Sequence, residues 1–275
     1  MEKSIAILIC YFGKFPWYFD YFISSCGFNP TVDFIVVTDN KEYTDPLPEN
    51  VNFIFTTMEK LNKRMSHKLG LNINIKHPYK ICDFKPALGL IFSDLLGKYD
   101  YWGQCDIDVI FGDIRYFLDE EMLSTYDFVS VRHDYTPGCF TLFKNNPLMN
   151  NLFKQSKDYA KVFTSDENFA FDESNYVNGL LNDGHSIFDL KTEVQSFTYV
   201  VKKAERDGQI NAHFDFILIE GLIGKIKFDE GKVIYKSKLE GILYHLYLLK
   251  HIYKPAIVKK PIPKRYHISK KAIYY

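Results

Sequence analysis

The chain has 275 residues, with 34 Lys and Arg against 34 Asp and Glu for a formal net charge of +0, and it is 47% hydrophobic and 17% aromatic. That is apolar material for one large core, and the neutral balance excludes a chain that binds nucleic acid with its whole surface or a disordered acidic chain. The five cysteines, odd in number and without C-x-x-C spacing, argue against a disulfide framework or a structural zinc site and fit a reducing, cytoplasmic setting.

In chain order, the apolar run at 5–11 predicts a strand buried on both faces of a parallel sheet. The N-terminal stretch around it is too short for a secretory core with a cleavage site. Gly13 and Pro16 end the strand, and 17–26 reads as a short aromatic helix. A second buried strand at 33–38 runs into Thr38-Asp39-Asn40, and a third covers 51–56. A polar helix is expected over 58–69, then a loop turning into an amphipathic helix over 79–96, with Pro86 in its first turn. Strands follow at 127–131 and 138–143, a helix at 147–162, and further strands at 194–202, 221–228 and 232–235. Strands alternating with helical segments predict an α/β fold with a parallel, doubly wound sheet. Ligands sit beyond the carboxyl ends of such strands, so Tyr11, Phe12, Thr38 and Asp39 are the first places to look. No acidic residue follows Glu240, whereas eight Lys and Arg do. We therefore expect one domain over 1–250 and a basic tail over 251–275.

The stretch with the clearest chemistry is KYDYWGQCDIDVIFGDIR at 98–115. On an extended chain Asp106 and Asp108 point to one side, and Ile107 and Val109 to the other. Paired carboxylates at a strand end suit a hard divalent cation that also bridges a diphosphate; two solvated aspartates are the plain alternative. Lys80, Asp83 and Lys85 precede this strand closely enough to share its sheet edge, although Asp83 also suits a helix cap. Asp172 and Glu173 stand ahead of a helical pattern, where they either serve its N-terminus or face a substrate. His245 lies in an apolar aromatic run, where a core histidine is the ordinary reading.

Together these pieces resemble the GT-A glycosyltransferases, most of all the small bacterial members found with capsule and lipopolysaccharide genes. The resemblance is carried by VVTDN at 36–40, YKICDFKP at 79–86, YDYWGQCDIDVIFGDI at 99–114, GCFTLFKNN at 138–146, FDE at 171–173 and YHLYLLK at 244–250. It implies a GT-A, Rossmann-like fold with a mostly parallel central sheet flanked by helices, and a hexosyltransferase acting on a nucleotide-sugar. It further implies that Asp106 and Asp108 hold Mn²⁺ or Mg²⁺ against the diphosphate, that His245 completes the metal shell, and that Lys250 stands near the departing phosphate. By the same resemblance Tyr11 and Asp39 contact base and ribose, and Lys80, Asp83 and Lys85 contact ribose, diphosphate or donor sugar. A cleft with Tyr11, Thr38 and Asp39 suits a stacked pyrimidine, so a UDP-sugar is the first choice of donor. The chain departs from some retaining relatives in lacking Lys-Pro-Trp after the late histidine. Inversion needs a carboxylate to deprotonate the acceptor hydroxyl, for which Asp172 or Glu173 is the candidate; retention needs none in that role.

The acceptor implied is a glycan or a lipid-linked saccharide. The cations of 254–271 would draw a cytoplasmic enzyme to the anionic inner face of the membrane. Two other readings stand beside this one. Asp106-Ile-Asp108 also fits the nucleophile loop of haloacid-dehalogenase-like phosphatases, with Asp106 phosphorylated, although at least three expected strands precede it. A nucleotide-sugar-binding scaffold without catalysis is the third.

Overall fold

The computed structural model describes residues 2–275. Its strands are β1 (Ile5–Cys10), β2 (Val32–Thr38), β3 (Val51–Phe55), β4 (Tyr101–Cys105), β5 (Val109–Phe111), β6 (Phe128–Ser130), β7 (Phe140–Lys144), β8 (Ala212–Phe214), β9 (Ile219–Glu220), β10 (Ile226–Asp229), β11 (Lys232–Tyr235), β12 (Leu239–Gly241), β13 (Leu243–His245), β14 (Arg265–Ile268) and β15 (Ile273–Tyr274). The architecture is mixed α/β, with a large, mostly parallel central sheet flanked by helices, as the strand pattern predicts. That sheet has the order β3-β2-β1-β4-β7-β6-β8. The pairs β3/β2, β2/β1, β1/β4 and β6/β8 are parallel, and β7 is antiparallel to both its neighbours.

Side chains alternate across a strand, and the two faces of β1 are sorted accordingly. Ile5, Ile7 and Ile9 join one core cluster with Phe34, Val36 and Tyr101. Ala6 and Leu8 join the other with Ile35, Val37 and Trp102. Both faces are apolar and both are covered, which is why these strands read as continuous hydrophobic runs.

The helix Met58–Leu69 keeps its expected bounds. Thr57 caps it by accepting from the Lys60 N–H at 3.2 Å, and Gly70 ends it at φ 68°, a left-handed conformation that glycine adopts without penalty. The segment Pro78–Ala87 forms a 3₁₀ helix instead of a loop entering an amphipathic helix. Three residues per turn align positions i and i+3, and so Lys80 and Asp83 meet.

Other expectations fail here: of the strand expected over 221–228 only Ile226–Asp229 forms. Residues 194–202 do not form a strand; Phe197–Arg206 is a helix. Its Phe197, Val200, Val201 and Ala204 are buried at three- and four-residue spacing, and that periodicity overrides the β-preference of its valines. The helix expected over 147–162 breaks into Pro147–Asn151, the 3₁₀ turn Leu152–Gln155 and Tyr159–Thr164, with Ser156 extended between them.

Two smaller sheets complete the chain, β12-β11-β10-β14-β15 and β5-β13-β9. The stretch 251–275, expected as a tail, supplies β14 and β15 to the first of these. Tyr266 is buried there, and the Tyr21 and Tyr275 hydroxyls lie 2.5 Å apart. Lys260 is paired with Asp20 and Asp45, and Arg265 with Asp229 and Glu230. Part of the terminal charge is thus neutralised against the body.

Candidate active site at the end of strands β1 and β4

A cleft of about 780 Å³ opens beyond the carboxyl ends of β1 and β4, lined by Tyr11, Lys85, Asp106, Asp108, His245 and Lys250 among others. The chain leaves the central sheet at Cys105, bends through Asp106-Ile107-Asp108, and re-enters a different sheet at Val109. The two aspartates therefore occupy a bend between two sheets, where an extended strand end was expected, and Ile107 is buried. Strand pairing brings the histidine in. Val109 of β5 stands opposite His245 of β13, and the Leu246 N–H donates to the Asp108 carbonyl at 2.8 Å. One ligand atom from each of Asp106, Asp108 and His245 then lies within 4.8 Å of the others.

Cations surround these carboxylates. Lys250, in the turn of helix after β13, places Nζ 2.6 Å from Asp108 Oδ2, and His245 Nε2 lies 3.5 Å from the same oxygen. Burial would raise the Asp108 pKa, but His245 and Lys250 hold it well below the usual carboxylate range. Burial likewise pulls the His245 pKa down, and it is outweighed by the surrounding Cys139, Asp108 and Glu220, which push it well above the ordinary imidazole value.

Across the cleft, Lys85 Nζ donates to Asp106 Oδ1 at 2.5 Å and to the Gly138 carbonyl at 2.7 Å, with Asp172 Oδ2 at 3.7 Å. The Gly138 N–H donates to Glu173 Oε1 at 2.8 Å. A Cβ at position 138 would stand 3.0 Å from Glu173 Oε1 and 3.1 Å from both Asp172 Oδ2 and Lys85 Nζ. A side chain there would push these three groups apart by a few tenths of an ångström, and glycine lets them converge. Burial lowers the Lys85 pKa, but Asp106, Cys82 and Asp172 raise it well above the usual value. Burial raises Asp172 well above the carboxylate range, against the pull of Lys85, and raises Glu173 against the Gly138 N–H. Both carboxyls are thereby more basic than free ones, the direction a proton acceptor requires.

Behind His245 runs a chain of groups with no counterpart among the expected site residues. Glu220 is the register partner of His245 in the parallel β9/β13 pair, with Oε2 3.5 Å from His245 Nδ1. That Nδ1 is buried and makes no hydrogen bond among the described residues. Arg132 binds the other Glu220 oxygen and Asn182, and grips Asp134 through two bonds of 2.9 and 2.8 Å. Arg132 is buried between Tyr135 and Phe216, 4.7 and 5.2 Å from their ring centres. Burial alone would draw the Glu220 pKa up, but His245 and Arg132 hold it below the usual value.

Of the residues singled out in the sequence, the structure brings Tyr11, Lys85, Asp106, Asp108, Asp172, Glu173, His245 and Lys250 to the cleft wall. Thr38, Asp39, Lys80 and Asp83 do not line it. Thr38 is buried and accepts from the Asn40 N–H, while Asp39 holds the Gly13 N–H at 2.7 Å from the exposed side of the turn. Lys80 and Asp83 are a closed ion pair of 2.7 Å, 2% and 0% exposed. Asp83 accepts from the Phe169 and Phe171 N–H groups at 3.0 and 2.8 Å, and Lys80 donates to the Val162 and Glu167 carbonyls. This pair anchors the segment that carries Asp172 and Glu173.

Residues 7–274 match a family model described as a family of unknown function, DUF6625. The chain belongs to that family. No curated protein matches it. Among solved structures it is similar to the galactosyltransferase LgtC in complex with donor and acceptor sugar analogs, at 14% identity over 64% of this chain and 70% of that one, with a TM-score of 0.34. It is also similar to mouse xyloside xylosyltransferase 1 in its apo form, at 9% identity over 88% of this chain and 97% of that one, with a TM-score of 0.45. At this distance no residue's role passes from those proteins to this chain. No helix among the described residues is long and apolar enough to cross a membrane.

Proposed function

We propose that the chain is a divalent-metal-dependent glycosyltransferase of the GT-A type. It would move a hexose from a UDP-sugar to a hydroxyl of a glycan or lipid-linked acceptor in surface-polysaccharide assembly. The observation that carries this reading is the meeting of Asp106, Asp108 and His245 at the mouth of the cleft, with Lys250 beside them and the Asp172/Glu173 pair within reach of Lys85 on the other wall.

The donor set fits Mn²⁺ or Mg²⁺. Two carboxylates and an imidazole suit Mn²⁺ especially, and a metal-binding histidine ordinarily gives its second N–H to a carboxylate, a role open to Glu220, whose Oε2 stands 3.5 Å from His245 Nδ1. When bound, the ion would supply the positive charge that a departing diphosphate needs. Lys250 is placed to hold the same phosphates, being tethered now only by Asp108. Lys85 neutralises Asp106 and keeps Asp172 within its field. Asp172 and Glu173 are the groups able to take a proton from an acceptor hydroxyl.

The test is release of nucleoside diphosphate from a panel of sugar nucleotides with Mn²⁺ or with chelator. Metal-dependent UDP release is expected. Orthophosphate release would favour the phosphatase reading, and no product would favour the scaffold. For the cellular setting, the exposed Lys254, Lys259, Lys264, Lys270 and Lys271 add about 1 kcal/mol each beside anionic lipid. Failure of the full chain to sediment with anionic vesicles at low salt would remove the peripheral-membrane part of the proposal.

Glu220→Ala is expected to weaken Mn²⁺ binding by roughly 10- to 100-fold, the usual cost of losing the group that orients a metal-binding histidine. Calorimetric titration of Mn²⁺ into the folded variant reads this directly. An unchanged isotherm would mean that Glu220 leaves the imidazole indifferent.

A further inference from the structure

The cleft carries two aromatic side chains that the donor chemistry above does not use. Tyr79 and Tyr176 both line it, yet they are 73% and 65% exposed. Exposed tyrosines are ordinary singly; two beside one carboxylate pair in one cleft are not. They are also tied to each other. The Tyr176 hydroxyl bonds to the Asn168 carbonyl and side-chain oxygen at 2.6 and 2.9 Å, and the Asn168 amide reaches the Tyr79 carbonyl at 3.4 Å.

The backbone shows that this placement is costly. Asn175 and Tyr176 are consecutive residues at φ 56° and 64°. Asparagine tolerates the left-handed region, but a bulky aromatic residue there is a genuine outlier whose strain needs a reason. Asn175 supplies the anchoring, donating to the Phe169 carbonyl at 2.9 Å and accepting from the Glu193 N–H at 2.8 Å. The hydroxyl's bonds to Asn168 hold the Tyr176 ring in this conformation, and the ring is left 65% exposed at the cleft.

Position separates this pair from the donor side. The phenols of Tyr11 and Tyr18 both lie within the field of Asp108. Those of Tyr79 and Tyr176 lie within the field of Asp172 and Glu173, and Tyr79 also within that of Asp106. The metal-and-phosphate side of the cleft and its carboxylate-and-aromatic side meet at Lys85, which bonds Asp106 and stands 3.7 Å from Asp172. The carboxylate-and-aromatic side is chemically suited to a sugar ring, whose C–H faces stack on aromatic rings while its hydroxyls meet carboxylates and amides such as Asn178 and Asn182, which also line the cleft.

We infer that Tyr79 and Tyr176, joined through Asn168, form an aromatic platform that binds the saccharide acceptor and presents its hydroxyl to Asp172 and Glu173. This rests on the transferase reading for the identity of the ligand as acceptor; the platform's affinity for saccharides does not depend on it.

The probe is a printed glycan array, read with the full chain in the presence of UDP and Mg²⁺, beside UDP-induced thermal stabilisation of the same samples. Wild-type protein is expected to be retained on at least one saccharide. Tyr79→Ala and Tyr176→Ala should each weaken that retention by about tenfold or more, as loss of a stacking ring does, and leave the UDP-induced shift unchanged. Asn175→Ala tests the anchor and should weaken retention in the same direction. Retention unaffected by either tyrosine substitution overturns the platform, as does a protein that UDP stabilises but no saccharide retains. If no nucleoside diphosphate stabilises the protein while saccharide retention still depends on both tyrosines, the transferase reading fails and the platform stands.

Discussion

Asp108→Asn is expected to lower metal-dependent sugar transfer by about 10²- to 10³-fold or more, the scale on which active-site electrostatic groups act. The substitution keeps the side chain's volume and removes its charge, so it tests charge alone. Asp108 is 4% exposed and carries two partners, Lys250 at 2.6 Å and His245 at 3.5 Å. With the carboxylate gone, Lys250 loses its tether and the metal loses one of two anionic ligands. The fold is expected to survive, because the link between β5 and β13 at this point is the backbone bond from the Leu246 N–H to the Asp108 carbonyl, which the substitution leaves in place. Melting should fall, because buried His245 loses the carboxylate it faces while Lys250, 25% exposed, can return to water, and the Mn²⁺ isotherm should collapse. Turnover within about threefold of wild type, with an unaltered metal response, would remove Asp108 from the metal site.

The comparison of sequence with structure turns on how far apart interacting residues lie in the chain. The central sheet was legible because β1 and residues 34–37 of β2 are short apolar runs whose two faces are both buried. The two aspartates were legible because they are two residues apart, and even the unexpected bend at Asp106-Ile107-Asp108 leaves both at the cleft. His245 reaches the cleft only through the register of β13 on β5. That pairing joins segments nearly half the chain apart, so from sequence the residue entered through family resemblance and not through spacing. Glu220 and Arg132 had no such signal. Their partnership depends on β9 lying beside β13 and on a loop between β6 and β7; an arginine in a loop ordinarily reads as solvated. Gly138 is intelligible only once Lys85, Asp172 and Glu173 are seen around it. The valines at 200 and 201 misled because they favour strands, and the spacing of their apolar neighbours was the better guide.

The same contrast separates ligand contact from support at Lys80 and Asp83, and one substitution distinguishes the two roles. Asp83→Asn leaves the Lys80 ammonium 2% exposed without a carboxylate, facing the Val162 and Glu167 carbonyls and the Phe169 ring. Breaking a buried pair from one side costs about 3–5 kcal/mol, because the remaining charge can neither return to water nor find a partner. For a chain of this size that corresponds to a melting temperature lower by roughly 10 °C. The asparagine oxygen can still accept from the Phe171 N–H, but its NH₂ takes the place of Oδ2, which accepts from Lys80 and the Phe169 N–H, so the variant removes the charge together with that acceptor. Lys80→Met added to Asp83→Asn should then recover most of the loss, since no unpaired ion is left and the methionine fills the same space. UDP affinity of the folded protein should be unchanged in single and double variants alike. The opposite pattern, wild-type melting with lost nucleotide binding and no rescue by the second substitution, would return both residues to the ligand.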